Sequence, residues 1–95
     1  MRVRYTLRAF DDRESICDYL EKRSQTGART VKRAVINAIR SLASQPRLGQ
    51  LTSKHSVYEL VVPRRPYKIY YSLDRDEVWI LHIRHTSRQS GSEIG

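Results

Sequence analysis

The stretch from Thr26 to Ser44 constrains the fold more than any other part of the chain. Ala28, Val31, Val35, Ala38, Ile39 and Leu42 recur at helical spacing. At roughly 100° per residue these side chains converge on one side of a helix. Arg29, Lys32, Arg33 and Arg40 converge on the opposite side, with Ile36 among them. A helix divided in this way buries one stripe against another element and leaves a cationic stripe outside. Ile36 has two readings. It is a lone exposed isoleucine, which is ordinary on a surface, or an apolar anchor for a partner, flanked by Lys32 and Arg40.

The neighbouring segments supply what this helix packs on. Thr26-Gly27 breaks the chain before it, with Thr26 as the expected N-cap. The preceding segment, from Asp11 to about Arg23, reads as a shorter helix. Ile16, Tyr19 and Leu20 form its apolar stripe, and Asp11, Asp12 and Glu14 suit a helix N-terminus. Arg2 to Arg8 alternates, with Val3, Tyr5 and Leu7 on one side, as a half-buried strand does. Gln45-Pro46-Arg47-Leu48-Gly49 stops the long helix. Leu51 to Ser56 reads as loop. Three strands then follow, Val57–Val62, Tyr67–Leu73 and Glu77–His85, joined by Pro63-Arg64-Arg65-Pro66 and by Asp74-Arg75-Asp76. The expected fold is α+β with the order β-α-α-β-β-β: an N-terminal strand, then an αα-hairpin packed on a small antiparallel sheet. Ninety-five residues hold one core, assigned to residues 1–88, with a short polar tail at 89–95.

Charge narrows the partners. The net charge is +8, and no acidic residue lies between Glu21 and Glu59, a stretch with eight basic ones. The rest of the chain has ten basic and ten acidic residues. The whole excess therefore sits on one segment. A local positive field attracts nucleic acid or an acidic protein; its plainer reading is a solvated face. No window nears the ~18 apolar residues of a membrane span, and Met1-Arg2-Val3-Arg4-Tyr5 lacks the apolar core of a signal peptide. No membrane partner is expected, and the expected location is the cytoplasm. The single Cys17 forms no internal disulfide. Three histidines and one cysteine show no metal-ligand spacing, so no metal and no cofactor is expected.

Three motifs, in order and at the right separation, carry a resemblance. Pro46-Arg47-Leu48-Gly49 resembles a helix-ending Pro-x-x-Gly turn of the RelE/ParE toxin superfamily. Tyr67-Lys68-Ile69-Tyr70-Tyr71 resembles its Tyr-Arg-Ile-x-Tyr strand, with lysine where arginine is commoner. Trp79 to Arg88 resembles its closing strand, which ends in Ile-x-His-x-x-Arg. The likeness runs from Tyr5 to Arg88. It implies the toxin of a type II toxin–antitoxin pair, held silent by an acidic, partly disordered antitoxin that folds as it binds. Arg29, Lys32, Arg33, Ile36 and Arg40 are the candidate antitoxin contacts. Operator DNA would be met only through the antitoxin.

The superfamily divides by target. ParE-like members are similar to poisons of DNA gyrase, and RelE-like members cleave mRNA on the ribosome. Metal-free RNA cleavage needs a base, an acid and cations to stabilise the phosphorane. Lys68, His85 and Arg88 are the candidates for that set, with Arg84 beside them. Three features weigh against it. No tyrosine follows Arg88, and the loop before the second strand has only Lys54. Arg84 and His85 are adjacent, so only one of them shares a sheet face with Lys68. His85 also reads as a strand-end histidine bonded to backbone, and His82 and His55 as surface or sheet residues. The ParE-like branch fits better: a toxin that inhibits gyrase, with Arg64, Arg65, Lys68, Arg84 and Arg88 as target-binding surface. The alternatives are a ribosome-dependent endoribonuclease and an inactive member that only binds its antitoxin.

Overall fold

In the computed structural model, residues 1–86 are described. Five strands and two helices follow one another as β1 (Arg2–Tyr5), α1 (Leu7–Glu21), α2 (Gln25–Ser44), β2 (Gln50–Leu51), β3 (Tyr58–Val61), β4 (Tyr67–Asp74) and β5 (Glu77–His85). The expected α+β order holds, with one short extra strand, β2, at the start of the expected loop. The sheet order is β1-β5-β4-β3-β2. Strands β2 to β5 are antiparallel neighbours, while β1 joins β5 in parallel. The sheet is therefore mixed rather than wholly antiparallel. The tail assigned to residues 89–95 lies outside the described residues, as does Arg88.

Both helix starts differ from the sequence reading, for the same reason: a hydroxyl residue caps each one earlier. Thr6 Oγ1 accepts from Ala9 N at 3.1 Å and itself reaches the Ile80 and Leu81 carbonyls. This cap ends β1 at Tyr5 and starts α1 at Leu7, so Leu7 is 76% exposed rather than inward. Asp11, Asp12 and Glu14 consequently lie beyond the first turn, where the helix dipole no longer favours them. Ser24, not Thr26, caps α2, accepting from Gly27 N at 3.0 Å.

The long apolar stripe packs as its spacing requires. Ala28, Val35, Ala38, Ile39 and Leu42 are buried, and Val31 packs against them. On α1, Ile16 is buried and Leu20 half-buried, but Tyr19 is exposed under the Arg23 guanidinium at 4.0 Å. The sheet contributes Tyr67, Ile69, Tyr71, Val78, Ile80 and Ile83 to the same core. The turn after α2 is fixed from inside. Tyr71 Oη donates to Pro46 O at 2.8 Å and accepts from Gly49 N at 2.9 Å. A Cβ on Gly49 would lie 2.6 Å from Glu59 O, so only glycine fits there. Burial pushes the Tyr71 phenol above its ordinary value and keeps it a donor.

The β4–β5 pair contains one irregularity with functional weight. The register shifts between Tyr70 and Tyr71, which pair with His82 and Ile80 and leave Leu81 as the extra residue of a bulge. Alternation on β5 resets there. Val78, Ile80 and Ile83 face the helices, while Trp79, His82 and Arg84 share the open face with Lys68 and Tyr70.

Candidate functional site

The open face of the sheet gathers most of the candidate chemistry. Lys68 and Arg84 are direct cross-strand partners. Lys68 is not free: its Nζ lies 2.6 Å from Glu59 Oε2 on β3. The Glu59 hydrogen bond holds the Lys68 ammonium above its ordinary value. Arg84 is half-buried, and its Nε meets no acceptor among the described residues. His85 turns to the opposite face, where its ring meets Tyr67 edge-on at 5.1 Å. The nuclease set of Lys68, His85 and Arg88 is thus divided: Lys68 and His85 lie on opposite faces, and Arg88 lies outside the described residues. Arg84, not His85, shares the face of Lys68.

A different histidine occupies that face. His82 stacks on Tyr70 with ring centroids 5.7 Å apart. Its Nδ1 lies 2.7 Å from Asp12 Oδ2, and because an ionised carboxylate only accepts, Nδ1 carries the proton. The same oxygen accepts from Ile83 N at 3.0 Å, and Arg8 Nη2 lies 3.5 Å from His82 Nε2. Asp12 reaches there because α1 starts early and crosses the edge of β5 beyond the end of β1. Sequence reading placed Asp12 at a helix N-terminus and gave His82 no role. The available signal was the change in apolar spacing along Val78, Ile80 and Ile83, which marks the bulge.

Arg64 and Arg65 occupy the β3–β4 turn. Arg64 is exposed with φ 61°, a left-handed backbone that side-chain-bearing residues seldom adopt. Arg65 is half-buried, and its N–H donates to Val62 O at 3.2 Å. The two guanidiniums are therefore set by a fixed turn between Pro63 and Pro66, at the rim rather than the centre of the sheet face.

The third region lies on the helical side. Arg29, Lys32, Arg33 and Arg40 are all exposed on α2. Ile36 is half-buried and lines a groove of about 290 Å³ between α2, β1 and α1. Met1, Val3 and Tyr5 form one wall, Ile36, Ile39 and Ala43 the other, with Arg13 and Arg40 completing it. The structure thus joins Ile36 and Arg40 in one concave site and leaves Arg29, Lys32 and Arg33 on the open helix surface. Arg13 was not among the sequence candidates. Cys17 is buried, and burial pushes its thiol up, so it is a poor nucleophile. Among the described residues no three histidine, cysteine or acidic side chains come together as metal ligands do. No helix among them is long and apolar enough to cross a membrane.

Comparison with known proteins assigns this arrangement. A family model described as the ParE toxin of the type II toxin–antitoxin system parDE matches residues 3–90. The chain belongs to the ParE toxin family. It is 36% identical to toxin Y4kP of Sinorhizobium fredii, across 93% of this chain and 91% of that one. It is 34% identical to toxin RelE2 of Caulobacter vibrioides, across 92% and 97% of the two chains. The fold matches the chromosomal ParDE toxin–antitoxin system of P. aeruginosa with a TM-score of 0.80 at 20% identity, covering 92% of this chain and 97% of that one. It also matches the RelBE2 toxin–antitoxin complex of Mycobacterium tuberculosis, with a TM-score of 0.65 at 20% identity and 92% coverage of both chains. The fold and family are therefore those of type II toxins, and the family relatives include both ParE-named and RelE-named proteins.

Proposed function

We propose that this ParE-family chain arrests growth by binding DNA gyrase rather than by cutting RNA, and that an acidic antitoxin seated on its α2 side keeps it silent. One observation carries the choice of target class. The cation and the histidine that a nuclease would need together, Lys68 and His85, face opposite sides of the sheet, and Lys68 is held by Glu59. The gyrase-facing surface would then be the Arg64–Arg65 turn at the rim together with Lys68 and Arg84 on the open face; Arg88, the remaining candidate, lies outside the described residues. The antitoxin side rests on the exposed cations Arg29, Lys32, Arg33 and Arg40 beside the groove that Ile36 lines. Operator DNA is reached through the antitoxin, and the site of action is the cytoplasm.

A second reading has one specific support. His82 shares the face of Lys68 and has its Nδ1 fixed by Asp12, which leaves Nε2 as the basic nitrogen. A RelE-like ribonuclease would use that nitrogen for proton transfer. Induction of the chain in a bacterial host, with DNA integrity and translation followed together, separates the two. The gyrase reading expects DNA breaks and filamentation while translation persists at first. Immediate translation arrest with cleaved mRNA overturns it in favour of the ribonuclease. A loss of cleavage by roughly 10²-fold or more in His82→Ala would then identify the general acid or base. Harmless unrepressed expression would leave an inactive antitoxin-binding member.

A further inference from the structure

Arg13, on the helical side, is a partly buried cation whose polar contacts are all long. Its guanidinium lies 5.1 Å from the centroid of the Tyr5 ring and 5.5 Å from that of Phe10. Its Nη1 reaches Tyr5 Oη at 3.4 Å and its Nη2 reaches Glu14 Oε2 at 3.5 Å, both long contacts. Its Nε is buried and meets no acceptor among the described residues. A buried guanidinium N–H without an acceptor is unfavourable and rare. Arg13 lines the groove that also presents Arg40, over an aliphatic wall of Val3, Ile36 and Ala43.

Size and charge limit what the groove takes. Its volume of about 290 Å³ is at the lower end of small-molecule sites, and suits one or two side chains better than a cofactor. Nucleic acid is held through phosphates on open cations and gains nothing from an aliphatic wall. A second copy of this chain, with net charge +8, would be repelled. The complementary occupant is a peptide that offers a carboxylate next to an aliphatic side chain. A guanidinium that lies over aromatic rings and makes only long contacts through its Nη groups is suited to a planar carboxylate.

Resting on the antitoxin reading given above, we propose that this groove is the specificity pocket for the antitoxin. It takes one aliphatic side chain against Val3, Ile36 and Ala43, and the neighbouring Asp or Glu carboxylate on Arg13 and Arg40. Arg13 is then the specificity determinant, because its guanidinium lines the groove and its Nη1 and Nη2 make only long contacts at home, so a partner's carboxylate improves on both. The remaining cations of α2 steer the encounter without choosing the residue.

The test is selection of a random peptide library, displayed on phage, against the purified chain. Selected peptides are expected to carry Asp or Glu within two positions of Leu, Ile or Val. Their affinity should fall by about tenfold or more in Arg40→Gln and in Arg13→Gln, and by less than about twofold in Lys32→Gln. Arg40 is exposed, so its variant tests the groove even where Arg13→Gln weakens the fold. Selection of acid-free peptides, equal binding by Arg40→Gln, or no binder that Ile36→Glu abolishes would each overturn the proposal. So would a dimer of the wild-type chain in sedimentation that Ile36→Glu dissolves. The peptide readout does not depend on toxicity. Harmless induction in cells therefore counts against the proposed function alone, and unselective peptide binding by a toxic, antitoxin-neutralised chain counts against the pocket alone.

Discussion

Two cations on the open face of the sheet, Lys68 and Arg4, and the cations on the outer face of α2 are treated in opposite ways. On the sheet, Lys68 is taken up by Glu59 at 2.6 Å and Arg4 by Glu77 at 2.7 Å. On α2, Arg29, Lys32, Arg33 and Arg40 are exposed and, among the described residues, meet no carboxylate. A cation paired at home orders its own strands and projects little field. An unpaired row of cations projects a field over about a Debye length and leaves its compensation to a partner. The same residue types therefore mean internal cohesion at Lys68 and Arg4, and recruitment on α2, as at Arg84, which has no carboxylate partner among the described residues.

The largest expected effect is on that recruitment. Arg33→Glu combined with Arg40→Glu should weaken antitoxin binding by about 100-fold at low salt and flatten its salt dependence. Lys68→Gln should leave the affinity within about twofold, because that cation is already neutralised. Titration at two ionic strengths measures both variants. Equal losses from the two faces, or an unchanged affinity in the α2 variant at low salt, would break the comparison.

The next effect concerns how the open face is kept in shape. One Asp12 oxygen accepts from both Ile83 N and His82 Nδ1 and ties α1 to the edge of β5. Asp12→Ala leaves a backbone N–H and an imidazole N–H without their acceptor. The expected destabilisation is ~1–3 kcal/mol, read as a lower urea midpoint at constant slope. Asp12→Asn keeps an acceptor oxygen and should recover part of it. An unchanged midpoint in Asp12→Ala would show that the edge is held by packing alone.

These two regions also differ in how far the sequence disclosed them. The α2 face was open to reading because helical spacing is a local property: Val35, Ile39 and Leu42 are buried where their spacing put them. The cations followed by exclusion. The sheet face depended on two non-local facts. Thr6 caps α1 so that it starts at Leu7, four residues before the acidic cluster that suggested its start, and the bulge at Leu81 resets alternation on β5. Regular alternation from Ile80 would have turned His82 toward the helices. Instead it stacks on Tyr70 beside Lys68. Arg13 was missed because its role depends on Tyr5 and Phe10 beneath it and on a groove walled by β1 and α2. Apart from Phe10, one helical turn earlier, these relations have no signature within α1.

The paired face should show itself in the pH dependence of stability, and the unpaired face should not. Lys68 has its folded value raised by Glu59 above the ordinary 10.5. Its contribution is complete below that ordinary value and is lost as pH rises through the folded one. Glu59→Gln removes the cause and should flatten the alkaline arm of the stability profile. The change should be modest, under ~1 kcal/mol, because the pair is partly exposed. Arg33→Gln, on α2, should leave the arm as in the wild type.

The smallest effect lies on the acid side. The Arg4 guanidinium bonds to Glu77 and, with the Trp79 indole N–H, holds its carboxyl below the ordinary 4.5. A lowered folded value contributes stability that is present above the ordinary value and is lost as pH falls through the folded one. Glu77→Gln should therefore flatten the acid arm and leave the alkaline arm unchanged, the converse of Glu59→Gln. Glu77 lies at the solvent side of the sheet, so added salt should diminish its effect. Urea midpoints measured across the acid range, at low and at high salt, test this. If Glu77→Gln moved the alkaline arm, or if Arg33→Gln matched it on the acid arm, charge on the sheet would not be balanced pair by pair. The distinction between the paired cations of the sheet and the recruiting ones of α2 would then fail at its most exposed pair.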